Sequence, residues 1–384
     1  MARRRLLLAV VASVALGASF AVGFEWRARS AAPSPVPRRP AAETLRGQVV
    51  DDLAALYYAR VPARALRAKS LAGLLAGLHD PYTTYLPPEV YRSVIASEDG
   101  GYSGVGLALE NSQHGLVVTR VMPGMPGGQA GIRPGDVITS VNGSSVAALS
   151  FMHALNLIAR GAGGQVHLVV LRRGGGGPVR VTLVPRLIPV PVVTATALTY
   201  DGRRYEYVRM FSFPNGSAVA VQRAVALAVR NHARGVVLDL RGNPGGLLAQ
   251  AVAVARLFVG SGPIVTTYGL HEPRQVLSGD GTAVHGLRVA VMVDHATASA
   301  AEVVAGSLRH AGAVLVGRRT YGKGTVQSIE PLSNGGGLKL TVARFVLPGD
   351  VVIEWRGLRP DVTVRGASRR KWATLLAALR ELAG

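Results

Sequence analysis

From Val190 onward the chain alternates β-branched runs with helical ones, and this alternation constrains the fold more than any other feature. Tyr207 to Phe213, Val236 to Leu240, Ile264 to Tyr268, Val289 to Val293 and Ala313 to Val316 read as strands. Ala218 to His232, Leu247 to Phe258 and Ser299 to His310 read as helices. Strands alternating with helices predict a layered α/β architecture. Two glycine- or small-residue junctions, Gly242 to Gly246 and Thr297 to Ser299, fall between a strand's end and a helix's start. Open α/β sheets place ligand sites at such junctions.

The rest of the chain divides by composition. Residues 44–95 carry helical periodicity, with Val49, Leu53 and Leu56 followed by Leu71, Leu74 and Leu78, and predict two or three helices ended by Asp80-Pro81. Residues 96–186 hold short strand-like runs around the turns Asn142-Gly143 and Gly174 to Gly177, with a helix expected over Phe151 to Arg160, and read as a small β-rich module. Residues 187–384 form the α/β part. Residues 31–43, with Pro33, Pro35, Pro37 and Pro40, read as an extended linker. Residues 1–30 read as a signal anchor or signal peptide: Arg3-Arg4-Arg5 precedes an apolar run from Leu6 to Phe24, just long enough to span a hydrocarbon core. An uncleaved anchor with its N-terminus inside is the preferred reading. It places everything after Trp26 outside the cytoplasm, in the cell envelope, held to the inner membrane by residues 6–24.

Composition excludes several chemistries. There is no cysteine, which removes disulfides, a thiol nucleophile and thiolate metal sites. No His-Glu-x-x-His occurs and the nine histidines are scattered, so no metal and no cofactor is expected. The net charge of +21 is spread along the chain without an aromatic-interleaved basic stripe, so no nucleic-acid role is expected.

Lysine is scarce. Among 43 Lys plus Arg, lysine stands only at Lys69, Lys323, Lys339 and Lys371. A buried lysine can lose its proton and act as a base, whereas arginine cannot. Lys323 lies between two glycines in Tyr321-Gly-Lys-Gly-Thr-Val-Gln327, and Gln327 follows four residues on, able to hold its amine. Ser299 lies at a helix start among alanines, where free N–H groups and the helix dipole favour a developing anion. Taken singly, Thr297 or Ser299 reads as an N-cap. The turn Leu238-Asp-Leu-Arg-Gly-Asn-Pro-Gly-Gly246 offers further N–H groups but lacks the Gly-Lys-Ser/Thr of a nucleotide loop. Asp294 and His295 invite a Ser-His-Asp reading, with a loop histidine the better description.

Together these segments resemble the carboxyl-terminal processing peptidases, or tail-specific proteases. The resemblance runs from about Val49 to Val364. It is carried by Leu78 to Tyr85, Gly101 to Gly106, Ala130 to Gly143, Leu238 to Gly246, Thr297 to Glu302, Tyr321 to Gln327 and Gly357 to Val362, in family order, with His79 where the family has an acid. It implies a multidomain α+β chain: an N-terminal helical segment, a β-rich PDZ domain and an α/β, crotonase-like serine protease core. It implies Ser299 as nucleophile, Lys323 as base, Gln327 as its positioner, and Ala300 with Gly245 or Gly246 as oxyanion donors. In the PDZ domain, Tyr102, Ser103, Gly104, Val105, Gly106 and Leu107 are the expected loop that captures a C-terminal carboxylate. The expected activity is a serine endopeptidase acting on proteins with exposed C-termini, with homo-oligomerisation left open. A noncatalytic PDZ scaffold is the rival, and an acyl-thioester enzyme of similar fold a third reading.

Overall fold

The computed structural model describes residues 44–98, 101–148, 154, 157, 158, 164–175, 177–189, 192–364 and 372–384. The expected signal segment, the proline-rich linker and most of the helix expected over Phe151 to Arg160 lie outside these residues. The chain divides at Gln48 and Val49, and the described part of the first unit is residues 44–48. Among the described residues no helix is long and apolar enough to cross a membrane.

The helical segment gives α1 Leu45–Leu56, α2 Ala63–Arg67 and α3 Leu71–Ala76. Ser70 caps α3 by accepting from the Gly73 N–H at 3.1 Å. Asp80 then organises the Asp-Pro-Tyr-Thr turn, accepting from the Tyr82 N–H at 2.9 Å and the Thr83 hydroxyl at 2.6 Å. The short strand β1 Thr84–Leu86 and the helix α4 Pro88–Glu98 follow.

The β-rich module begins with β2 Gly101–Gly104, then β3 Leu107–Ser112, β4 Gly115–Val121, the one-turn α5 Pro126–Gln129, β5 Val137–Val141, β6 Ser144–Ser145, β7 Val166–Leu171, β8 Val179–Leu183 and β9 Arg186–Pro189. Strands β3, β4, β5, β7 and β8 form one antiparallel sheet in that order, with β3 at its edge. Their inward faces bury Leu116, Val118, Ile138, Leu168 and Val170 in a core of their own. Tyr102, Ser103 and Gly104 are not loop residues, as the sequence suggested. They lie in β2, which pairs antiparallel with β9, Tyr102 opposite Ile188 and Gly104 opposite Arg186. The partner strand is more than eighty positions away, and local pattern does not show such a pairing.

The α/β part comprises β10 Val193–Tyr200, β11 Arg203–Met210, α6 Ser217–Arg230, β12 Gly235–Asp239, α7 Leu248–Arg256, β13 Pro263–Tyr268, β14 Gln275–Ser278, β15 Arg288–Val293, α8 Ala300–His310, β16 Val314–Gly317, β17 Thr325–Pro331, β18 Gly337–Val346, β19 Val362–Thr363 and α9 Ala373–Ala383. The main sheet has the order β10-β11-β12-β15-β16-β19. Only the β10–β11 pair is antiparallel; the rest run parallel. Strand alternation splits the core. Val236, Leu238, Val291 and Val293 pack with α6, α7 and α8, while Val237, Ala290 and Met292 pack with Leu375, Ala378 and Leu379 of α9. A second sheet runs β1-β18-β13-β14, with β17 also paired to β18.

Candidate active site

Adjacent parallel strands bring three turns together. Strands β12, β15 and β16 are neighbours, so the chain leaving their carboxyl ends forms one edge. Residues 240–247 follow β12, residues 294–299 follow β15 and residues 318–324 follow β16. Asp294 stitches the first two: its Oδ1 accepts from the N–H groups of Gly242 (3.0 Å), Ala296 (3.0 Å) and Thr297 (3.1 Å). The fully buried Thr297 donates its hydroxyl to the Leu240 carbonyl at 2.8 Å, and the Ala298 N–H reaches the Asn243 carbonyl at 3.0 Å. The Tyr321 N–H closes the set on the Thr297 carbonyl at 2.9 Å. His295 is exposed and is not among the residues lining the cleft that Ser299 faces, in keeping with a loop histidine.

Ser299 stands at the N-cap position of α8, with φ 56 and ψ −121. A non-glycine residue in such a conformation costs on the order of 1–3 kcal/mol, which the surroundings must overdetermine. Its N–H donates to Glu302 Oε2 at 2.8 Å. Ser299 lines a cleft of about 510 Å³. Ala300, Gly245, Gly246, Lys323 and Gln327 line the same cleft. The N–H groups of Ala300 and Gly246 have no partner among the described residues, whereas the Gly245 N–H donates to Asn243 Oδ1 at 2.9 Å. Gly245 serves by its size. With φ +99, a Cβ there would stand 2.8 Å from the Ala298 carbonyl oxygen and 3.0 Å from the Ala300 nitrogen. Gly245→Ala is expected to displace the Ser299 turn and lower kcat by about 10²-fold, the scale of losing one oxyanion donor. Hydrolysis of a peptide substrate, with circular dichroism to confirm folding, checks this.

Lys323 arrives on the third turn. Its amine sits 4.9 Å from the ring centroid of Tyr82, which is stacked on Trp355 at 6.0 Å. Burial lowers its pKa to about 8, and the charge of Lys339 pushes the same way against Glu354, Asp80 and Glu302. No hydrogen bond joins Ser299 Oγ to Lys323 Nζ in this structure, and catalytic contacts are often long before substrate arrives. Gln327 does not hold the amine. A β-bulge between Val326 and Gln327 resets the strand, and the Gln327 amide donates to Thr325 Oγ1 at 2.9 Å and Thr341 Oγ1 at 3.4 Å.

Glu302 joins the Ser299 and Lys323 turns. It is fully buried, and its Oε1 accepts from the Thr320 hydroxyl (2.5 Å) and the Gly322 N–H (2.8 Å). Its Oε2 accepts from the N–H groups of Ser299 (2.8 Å) and Lys323 (2.9 Å). Burial pushes its carboxyl up while these four donors pull it down. Sequence reading passed over it as part of a motif. The signal was present: Ser299-Ala-Ala-Glu302 is a capping-box spacing, and Glu302 is the one charge in the otherwise uncharged run Ala300 to Leu308. Among the described residues no group of three His, Asp or Glu is arranged to hold a metal ion.

Comparison with known proteins adds the family. A profile described as Peptidase family S41 matches residues 204–364, and one described as PDZ domain matches residues 117–173. A chloroplastic C-terminal processing peptidase of Tetradesmus obliquus is 34% identical over 355 residues, covering 88% of this chain and 75% of that one. The chain belongs to the carboxyl-terminal processing peptidases. The carboxy-terminal processing protease CtpA of Bacillus subtilis is 31% identical over 308 residues, covering 80% of this peptidase and 65% of its relative. A solved photosystem II D1 C-terminal processing protease superposes with a TM-score of 0.56 at 28% identity, covering 88% of this chain and 97% of that one. A putative S41 protease from Bacteroides fragilis, 18% identical with a TM-score of 0.56, shares the fold over 90% of this chain and 99% of its own. The peptidase thus combines a PDZ domain with an S41 core in the mixed α/β architecture its sequence implied, and it is of the serine type.

Proposed function

We propose that this peptidase cleaves polypeptides with Ser299 as nucleophile and the neutral amine of Lys323 as general base. The observation that carries the reading is that a strained, half-buried serine and a lysine of lowered pKa line one cleft. Lys323 takes the Ser299 hydroxyl proton as Oγ bonds to the scissile carbonyl carbon. The resulting oxyanion is met by the N–H groups of Ala300 and Gly246. Collapse breaks the C–N bond, the Lys323 ammonium returns its proton to the leaving amine, and Ser299 is left acylated. Water, deprotonated by the same amine, hydrolyses the ester. Gln327, which lines the cleft and bonds Thr325 and Thr341, orients substrate or water.

The experiment is casein hydrolysis. Ser299→Ala is expected to abolish it and to retain captured proteins identifiable by mass spectrometry. In the unaltered peptidase kcat/KM is expected to rise with pH and level off above about 8, because only the unprotonated amine accepts a proton. A flat profile from pH 6 to 9, or casein turnover by Ser299→Ala, refutes the dyad.

Tail recognition is part of the same proposal. β3 is an edge strand, open to addition of an extended peptide, and Val105, Gly106 and Leu107 lead into it. The carbonyls of Val105 and Gly106 are already taken, by the N–H groups of Gly127 and Met122 at 2.8 Å each, which fixes the turn for a terminal carboxylate. Amidating a substrate's C-terminus is expected to raise KM about tenfold, the scale of one charge-assisted contact. Equal KM for acid and amide would overturn this part alone. The basic, apolar N-terminus supports action in the cell envelope, tethered by residues 6–24.

A further inference from the structure

The cleft holds a second lysine that the proposed chemistry does not use. Lys339 lies on β18, opposite Ile329 of β17, while Thr341 lies opposite Gln327. Residues two apart on a strand share a face, so Lys339 and Thr341 point the same way, and Thr341 touches the Gln327 amide. Ile329, Gln327 and Lys339 all line the cleft with Ser299. Lys339 is half-buried, and among the described residues its side chain has no ion pair and no hydrogen bond. Glu98 also lines the cleft, from α4, and is itself engaged. With Lys323 neutral in its working form, Lys339 is the one cationic group lining the cleft among the described residues, in a chain where nearly every other basic residue is arginine.

An ammonium half-removed from water without a partner is unfavourable, and a ligand carboxylate relieves that. We propose that Lys339 is a specificity residue that pairs with a carboxylate of the substrate near the scissile bond. The pair Ile329–Lys339 is one two-residue step along the sheet from Gln327–Thr341, about 7 Å. An extended substrate advances by the same rise, and because Lys339 shares the cleft with Ser299 the carboxylate it meets lies a few residues from the bond cut. It is either an acidic side chain or the C-terminus of a substrate ending just past that bond.

This inference rests on the proposed roles of Ser299 and Lys323, and the test separates the two. A casein-derived peptide with a mapped cleavage site is prepared with Asp, Asn or Lys at each position within three residues of the bond, C-terminally amidated. A neutral peptide ending two residues past the bond is prepared as free acid and as amide. kcat/KM is compared for the unaltered peptidase, Lys339→Gln and Lys339→Glu. Removing the lysine charge also raises the pKa of Lys323, set against Glu354, Asp80 and Glu302, so all peptides slow together and the ratio between peptides is the readout. The unaltered peptidase is expected to favour Asp over Asn at one position, or free acid over amide, by about tenfold. Lys339→Gln should bring that ratio to one, and Lys339→Glu should invert it in favour of Lys, a gain that misfolding cannot produce. The position or the free-acid pair that responds identifies the source of the carboxylate. Ratios unchanged in both variants, or no acid preference at any position, overturn the proposal. If Ser299→Ala still cleaves, the dyad fails instead. Fluorescence-anisotropy binding of the same peptides to Ser299→Ala, with and without Lys339→Glu, then tests Lys339 without cleavage.

Discussion

Lys323→Met is expected to abolish peptide hydrolysis and, at neutral pH, to make the protein more stable. The amine's pKa is lowered to about 8, first by burial and then by Lys339. The unfolded chain titrates near the ordinary lysine value of about 10.4. Between those values the unfolded chain binds more protons than the folded one, so stability rises as pH increases through this window. Below pH 8 the fold carries the full penalty of a half-buried ammonium. Methionine has a similar length and no charge, so it removes the penalty, about 2 kcal/mol after allowing for partial solvation. Urea denaturation at pH 7 and pH 10.5 checks this, because the advantage of Lys323→Met should disappear at the higher pH. Hydrolysis should fall by at least about 10³-fold with the base gone. Lys323→Arg should lose activity equally, since guanidinium stays protonated, and gain no stability. Near-normal hydrolysis in either variant would place the base elsewhere.

Glu302→Gln is nearly isosteric, yet it is expected to be almost as damaging as Glu302→Ala. Each carboxylate oxygen accepts from two donors, Thr320 and Gly322 on one side, Ser299 and Lys323 on the other. An amide presents one oxygen and one NH₂, so whichever way it turns, two donors face a donor. An unsatisfied buried donor costs on the order of 1–3 kcal/mol, and the expected loss for either variant is about 4 kcal/mol. The backbones of Ser299 and Lys323 are released from a common anchor, so kcat should drop by about 10²-fold or more with KM little changed. Chemical denaturation and steady-state kinetics on the purified peptidase read both effects. A Glu302→Gln variant with normal kcat would show that the carboxylate only holds the fold.

Much of the catalytic edge was legible because it is local. Ser299 and the glycine turn each lie where a predicted strand gives way to a predicted helix, and the parallel order β12-β15-β16 sets them beside the Lys323 turn. The features that escaped are non-local. The capping-box spacing marked Glu302 as a helix cap, but its full role shows only when four donors from two segments, Ser299 on one and Thr320, Gly322 and Lys323 on the other, converge on it. The Gln327 amide was expected on Lys323, but one bulge turns it toward Thr325 and Thr341. Tyr102 to Gly104 read as a binding loop because glycine marks turns, and only the distant β9 makes them a strand. The pairing that sets Lys339 facing the cleft depends on the same bulge.

The β2–β9 pair has an evolutionary consequence. Everything between Gly104 and Arg186 leaves and re-enters the catalytic scaffold across a single strand spacing, about 5 Å. An intervening module attached in this way behaves like an interchangeable cartridge: any small fold with neighbouring ends can occupy the gap, and a tight reverse turn can close it, without disturbing the order of the main sheet. A lineage carrying this scaffold can therefore exchange one insert while the main sheet is inherited unaltered.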